Sequence, residues 1–284
     1  MACPNMIPIF RPGISNYPTP PLWDKSTGRF GGVLYVPCGQ CYWCRFVRVQ
    51  MWALRCYLEA STHKDNSFIT LTYAPKNLPK NSTLVKDDLQ RFIKRLRKYL
   101  VSHYNDKKIR FYAGAEYGSD EHTAHPHYHI LLFGHQFEDR YYHGKSNKGH
   151  PIFRSPTLEK CWKLGFSSCG DLNFTSAAYA ARYIKKKING DMAEGHYEGR
   201  LPEFQLQSTT PGIGAAWYHA NKSTLWETGR IFVEGKEKSF RAPRYFERIL
   251  KKEDPERWAD YQQLKRKYIL ENHGADPDQE PDDD

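Results

Sequence analysis

The segment Pro126-His127-Tyr128-His129-Ile130-Leu131-Leu132-Phe133 limits the possible folds of this chain more than any other. It is short, aromatic and apolar, and it reads as a strand. Successive side chains of a strand point to opposite faces, so His127 and His129 share one face, roughly 6.5–7 Å apart along the backbone. The apolar run Ile130 to Phe133 requires burial and would hold the two imidazoles steady. A second strand, 109–116 (IRFYAGAE), precedes it across the polar loop 118–124, which predicts a hairpin.

The neighbouring segments extend this pattern. Residues 67–73 (SFITLTY) read as a strand and 85–101 as an amphipathic helix with Leu89, Phe92, Ile93, Leu96 and Leu100 inward. A short helix is expected at 157–164, a strand at 165–172 and a helix at 175–189 that Asn189-Gly190 ends. The order β-α-β-β-α-β-α predicts an α+β fold, an antiparallel central sheet with helices packed on it.

The flanks are less regular. Residues 1–30 read as an irregular arm, 33–36 as a short strand and 45–61 as a helix. Residues 135–156 read as a polar insertion and 190–220 as mostly loop. A hairpin is expected at 230–241, turning at Glu234-Gly235, then helices at 243–251 and 255–271. The expected organisation is an arm with the cysteine cluster and first helix (1–62), a core (63–190), and a C-terminal extension with a disordered acidic tail (191–284).

Charge narrows the function. The net charge is +10, yet residues 276–284 (DPDQEPDDD) carry six acids and no base. The other 275 residues hold 42 bases against 26 acids, which suits a polyanion such as nucleic acid. No run of about 18 apolar residues exists, so no membrane span is expected. The first residues lack a basic segment followed by a long apolar one, so no secretory signal is expected. Seven cysteines without such a signal argue against a disulfide scaffold.

Three groups of residues carry chemistry. Glu116 ends the strand beside His127 and His129, and two imidazoles with one carboxylate suit a hard or borderline divalent ion with open positions. On the helix, Tyr179, Tyr183 and Lys186 lie on one stripe. A phenol with a pKa near 10 is a weak nucleophile that a polarised phosphate and a nearby ammonium would help. The same helix could instead use its aromatics for packing. Cys38-x-x-Cys41-x-x-Cys44 can wrap a soft ion, with Cys3 as the preferred fourth ligand for a structural zinc and Cys56 or His63 as alternatives.

Phe68-Ile-Thr-Leu-Thr, His127-Tyr-His129 and the Tyr-x-x-x-Tyr-x-x-Lys helix occur in the order of the three motifs of HUH endonucleases, which the chain resembles. With Cys38-x-x-Cys41-x-x-Cys44, Trp52-Ala-Leu-Arg55, Ala115-Glu116-Tyr117-Gly118 and Pro211-Gly-Ile-Gly214, it is similar to the replication initiators of microviruses, in particular the gokushovirus group. The resemblance covers roughly residues 1–250. It implies an HUH/RRM-like nuclease core that nicks single-stranded DNA at an origin by tyrosine attack on a metal-polarised phosphodiester. A 5′-phosphotyrosine link and a free 3′-OH result, and the strand is later rejoined. It also implies Mg²⁺ or Mn²⁺ on His127, His129 and Glu116, with Tyr179 and Tyr183 as nucleophiles and Lys186 as their helper. Tyr179 has Arg182 rather than Lys at its own +3 position, so which tyrosine acts first stays open. The implied partners are origin DNA, a host helicase and a host DNA polymerase, in the bacterial cytoplasm. Other readings are an HUH transposase or relaxase, or a non-catalytic, zinc-stabilised single-strand-binding protein.

Overall fold

The structure is a computed structural model, and it describes residues 3–10, 23–24, 29–30, 33–104, 108–118, 125–146, 149–172, 192–233 and 239–273. Thirteen strands and seven helices are described. They run β1 (Met6–Phe10), β2 (Trp23–Asp24), β3 (Arg29–Phe30), β4 (Val33–Pro37), α1 (Tyr42–Ala60), β5 (Asn66–Tyr73) and α2 (Lys86–His103). There follow β6 (Arg110–Tyr117), β7 (Pro126–Phe133), β8 (Tyr141–Lys145), β9 (Pro151–Arg154), α3 (Pro156–Cys161) and β10 (Gly165–Asp171). The last are α4 (Met192–Tyr197), β11 (Phe204–Gln207), α5 (Ala215–Thr228), β12 (Arg230–Ile231), β13 (Phe240–Arg241), α6 (Arg244–Glu253) and α7 (Pro255–His273).

A seven-stranded sheet in the order β11-β6-β7-β5-β10-β9-β8 forms the centre, and all its described pairings are antiparallel. The expected α+β class and antiparallel sheet are therefore correct. Alternation decides its two faces. On β5, Ser67, Ile69, Leu71 and Tyr73 are buried while Asn66, Phe68, Thr70 and Thr72 are half-buried. Ile69, Leu71, Tyr128, Ile130, Leu132, Ala113 and Ala115 meet the apolar stripe of α2 (Leu89, Phe92, Ile93, Leu96, Leu100) and Leu158 and Trp162 at α3. The inner stripe of α2 follows the i, i+3, i+4 spacing that sets one helix face against a sheet.

The opposite face is covered only in part. Trp52 and Cys56 of α1, with Ile213, pack on Tyr112, Leu131 and Phe133. Leu54 and Leu58 of α1 point away from the sheet. They join Tyr218, Leu225, Trp226, Ile231, Phe246, Leu250 and Tyr261 in a second core. Helix α1 is thus held between the sheet and the C-terminal helices, and no part of it reaches the sheet end that carries Glu116 and His127 in these packing groups.

The structure departs from expectation at the sheet edges. The polar insertion 135–156 contains β8 and β9, which extend the sheet beyond β10. All five residues of β8 are exposed or half-buried, so it has no apolar alternation to read. The stretch 190–220 contains α4, β11 and the start of α5 rather than mostly loop. Strand β11 (FQLQ) is half-buried throughout and is defined by pairing with β6. The arm contains β1, paired antiparallel with β4 from Met6↔Pro37 to Phe10↔Val33. The helix expected at 175–189, the Glu234-Gly235 turn and the acidic tail 276–284 lie outside the described residues.

Candidate active site

Strand register brings Glu116 and the two histidines together. Glu116 lies opposite His127 across β6 and β7, and on the other side Thr72 lies opposite His127 and Thr70 opposite His129. Directly opposed residues of an antiparallel pair point to the same face. All five side chains therefore share the face that α1 leaves uncovered at this end. His129 Nε2 is 3.0 Å from Glu116 Oε1, and both residues are buried. The imidazoles of His127 and His129 have their centroids 6.4 Å apart.

Each imidazole is held from behind. The Thr70 hydroxyl is 3.1 Å from His129 Nδ1, and the Thr72 hydroxyl is 3.0 Å from His127 Nδ1. A hydroxyl both donates and accepts, so it supports either tautomer while fixing the ring. Phe68 stacks on His129 at 5.8 Å between centroids. With Nδ1 engaged, Nε2 is the nitrogen of each ring that faces the site. Donor type and shared face fit a divalent ion. The contact between His129 and Glu116 is closed, whereas His127 stands one ring-spacing away, so the three donors do not converge on a point in this state.

Sequence reading missed the supporting residues. Thr70 and Thr72 stand in the quoted Phe68-Ile-Thr-Leu-Thr run, and alternation places them on one face, but only the β5–β7 register pairs them with the histidines. A second omission is the support beneath the sheet. Glu59 is fully buried on α1, accepts from Gly214 N–H at 2.6 Å, and contacts Arg110 and His63. Burial pushes the Glu59 carboxyl up, but His63, the Gly214 N–H and Arg110 outweigh it and hold it below the usual carboxylate range. Arg110 also donates to Pro211 O at 2.7 Å, and Arg55 Nε to Ile213 O at 3.0 Å. The Arg55 guanidinium lies 4.2 Å from the ring centroids of both Trp52 and Tyr245. Trp52-Ala-Leu-Arg55 and Pro211-Gly-Ile-Gly214 thus form one clamp that seats Ile213 on the sheet.

The cysteine cluster is a separate centre. Cys3, Cys38, Cys41 and Cys44 place their sulfurs within 4.8 Å of one another, and together they could hold a metal ion. Cys3 Sγ is 3.5 Å from Cys38 Sγ and 3.6 Å from Cys41 Sγ. A tetrahedron with metal–sulfur bonds of about 2.3 Å has edges of roughly 3.8 Å. Cys3 is the fourth member, brought beside Cys38 by the β1–β4 pairing. The alternatives fall elsewhere: Cys56 is buried against the sheet and His63 contacts Glu59. The turn at Gly39, with φ of 73°, suits glycine and lets backbone N–H groups face the sulfurs. Cys41 N–H and Gln40 N–H donate to Cys38 Sγ at 3.2 and 3.4 Å, and they lower the Cys38 thiol to about 6. Burial first, and then the neighbouring thiols, push Cys44 up to about 12. All seven cysteines are reduced.

Tyr179, Tyr183 and Lys186 lie outside the described residues. The family model for replication-associated proteins of the ORF2 type matches residues 66–188, a span that contains Glu116, His127, His129 and these three. The chain is 31% identical over 242 residues to replication-associated protein ORF2 of Spiroplasma virus 4, covering 82% of this chain and 73% of that protein.

The chain belongs to this replication-associated protein family.

Two other members are similar to it. Replication-associated protein VP4 of Bdellovibrio phage phiMH2K is 30% identical over 242 residues, covering 83% of this chain and 74% of that one. Replication-associated protein ORF4 of Chlamydia phage 1 is 30% identical over 246 residues, covering 83% and 59%. No solved structure matches the chain. The family-model match begins at β5, so the cysteine cluster and α1 lie outside it. Among the described residues, no helix is long and apolar enough to cross a membrane.

Proposed function

We propose that this family member initiates rolling-circle replication by nicking single-stranded origin DNA and later rejoining it. One observation carries the reading: Glu116, His127 and His129 share an uncovered sheet face, with Thr70 and Thr72 fixing the imidazoles from behind. His127, His129 and Glu116 would hold Mg²⁺ or Mn²⁺, whose charge polarises a phosphoryl oxygen and orients the strand. Thr70 and Thr72 keep both Nε2 atoms aimed at that ion, and Phe68 fixes the plane of His129.

Tyr179 or Tyr183 supplies the nucleophile. Its phenolic oxygen forms a bond to phosphorus, the bond from phosphorus to the 3′ oxygen breaks, and the leaving oxygen takes up a proton to become the 3′-OH. Lys186 stabilises the phenolate. One phosphodiester is exchanged for another, so the same tyrosyl phosphate can be attacked by a 3′-OH to reseal the strand. The free 3′-OH serves a host polymerase, and a host helicase opens the duplex. Zinc on the four cysteines is structural, because four thiolates leave no position for substrate.

The test is adduct formation on a single-stranded oligonucleotide carrying the phage origin, with Mn²⁺ present. A covalent protein–DNA band is expected from the wild type and none from the Tyr179→Phe/Tyr183→Phe protein. Phe keeps the ring but removes the hydroxyl, so an adduct on the double variant overturns the assignment of the nucleophile.

A further inference from the structure

The sheet row that contains the candidate site continues one strand further than the site itself. Across β10, β5, β7 and β6 the opposed residues are Phe166, Thr72, His127 and Glu116. Ser167 and Cys169 of β10 are buried on the α2 side, so Phe166 points to the same face as Thr72 and His127. Its ring is 59% exposed, although a phenylalanine in the middle of a seven-stranded sheet is ordinarily covered. Neighbouring strands lie about 4.8 Å apart, which puts the Phe166 backbone roughly 10 Å from that of His127.

The charge around this ring is positive. Lys163 stands three residues before Phe166, and Lys76 three residues after Tyr73, the residue that pairs with Gly165 at this end of the sheet. Both lysines are exposed. Their loops are tied together, since Ala74 N–H and Asn77 Nδ2 both donate to Leu164 O, at 2.9 and 3.1 Å. Two ammonium groups on fixed loops beside an exposed aromatic face match the two halves of a nucleotide, its phosphate and its base.

We propose that Phe166 is a base-stacking residue, holding a nucleobase next to the scissile phosphate while Lys76 and Lys163 contact the phosphates beside it. The proposal rests on the nicking function given above and names a subsite of that same surface. Phe166 is a positioning residue: it fixes where the single strand lies and takes no part in the chemistry. Stacking on a ring face tolerates any base, so the subsite supplies binding and register rather than sequence choice.

The experiment uses the full chain with no added Mg²⁺ or Mn²⁺, so that no strand is cut. Binding of a fluorescein-labelled 20-mer of dT is compared with binding of a 20-mer of the same backbone lacking bases. Phe166→Ala is expected to weaken binding of the dT oligonucleotide by about 5- to 100-fold and to leave the abasic one unchanged. Phe166→Leu, which keeps apolar bulk without a π face, should behave like Phe166→Ala, and Phe166→Trp should restore binding. Lys76→Ala/Lys163→Ala should weaken both oligonucleotides alike and lower the slope of log affinity against log salt by about 1.5. Unchanged dT binding by Phe166→Ala, or equal loss for both oligonucleotides, overturns the proposal. Base-dependent binding through Phe166 with no adduct in the nicking assay would instead overturn the nuclease reading alone.

Discussion

The cysteine cluster and the Glu116/His127/His129 site are both candidate metal centres, and they are built in opposite ways. The four sulfurs are alike, come from a single strand pair and the turn entering α1, and already lie within 4.8 Å of one another. The other set mixes two imidazoles with a carboxylate, comes from adjacent strands of the main sheet, and leaves 6.4 Å between ring centroids. Each of its imidazoles has a threonine behind it, while the sulfurs are supported by backbone N–H groups. A closed soft tetrad stabilises a fold, whereas an open mixed set on a rigid sheet leaves room for a substrate. Helix α1 connects them: Cys41 caps its N-terminus and Cys44 sits in its first turn, while Cys56 and Glu59 near its far end join the sheet.

The largest effect expected from this contrast is on activity. His127→Ala/His129→Ala should lower Mn²⁺-dependent nicking by roughly 10³-fold or more, with the melting temperature nearly unchanged. Metal-dependent cleavage at the wild-type rate would show that the sheet face is not the ion site. The reverse pattern is expected at the cysteines. Removing zinc with a chelator, or introducing Cys3→Ser, should cost about 3 kcal/mol and lower the melting temperature by roughly 5–10 °C. Elemental analysis of the untreated protein should give about one zinc per chain, and metal-free protein with unchanged melting would mark these residues as plain thiols.

A third experiment addresses the connection through α1. Glu59→Gln should cost about 2–3 kcal/mol at pH 7, because Arg110 and the Gly214 N–H lose a buried carboxylate. The folded Glu59 carboxyl lies below its unfolded value, so its contribution is present above about pH 4.3 and is lost as pH falls through the folded pKa. Urea midpoints of wild type and variant should therefore differ at pH 7 and converge in acid. A constant difference across that range would mean the charge of Glu59 is not what secures the clamp.

The smallest effect is expected at the threonines. Thr72→Val keeps the shape but removes the partner of His127 Nδ1, and it should raise the Mn²⁺ concentration needed for half-maximal nicking by about tenfold. Thr70→Val should do the same through His129. Were either to leave the metal requirement unchanged, the hydroxyls would be fillers of the sheet face and the site would resemble the cysteine cluster in depending on its donors alone.

Local patterning determined much of this protein from sequence. Alternation in 67–73, 109–116 and 126–133 placed three central strands within a residue or two, because burial on one face leaves a period that neighbours in sequence record. The same period put His127 and His129 on one side, and the spacing of Cys38, Cys41 and Cys44 identified a soft-ion cluster. Tertiary structure decided what depends on pairing between distant segments. Cys3 joins the cluster because β1 pairs with β4, and Thr70 and Thr72 reach the imidazoles because β5 pairs with β7 in one register. Strands β8, β9 and β11 are polar or half-buried edges whose backbone hydrogen bonds, rather than apolar side chains, hold them in the sheet. Hydrogen bonds of that kind leave no periodic trace in sequence, and neither does the placement of Glu59 beneath Gly214, 155 residues away along the chain.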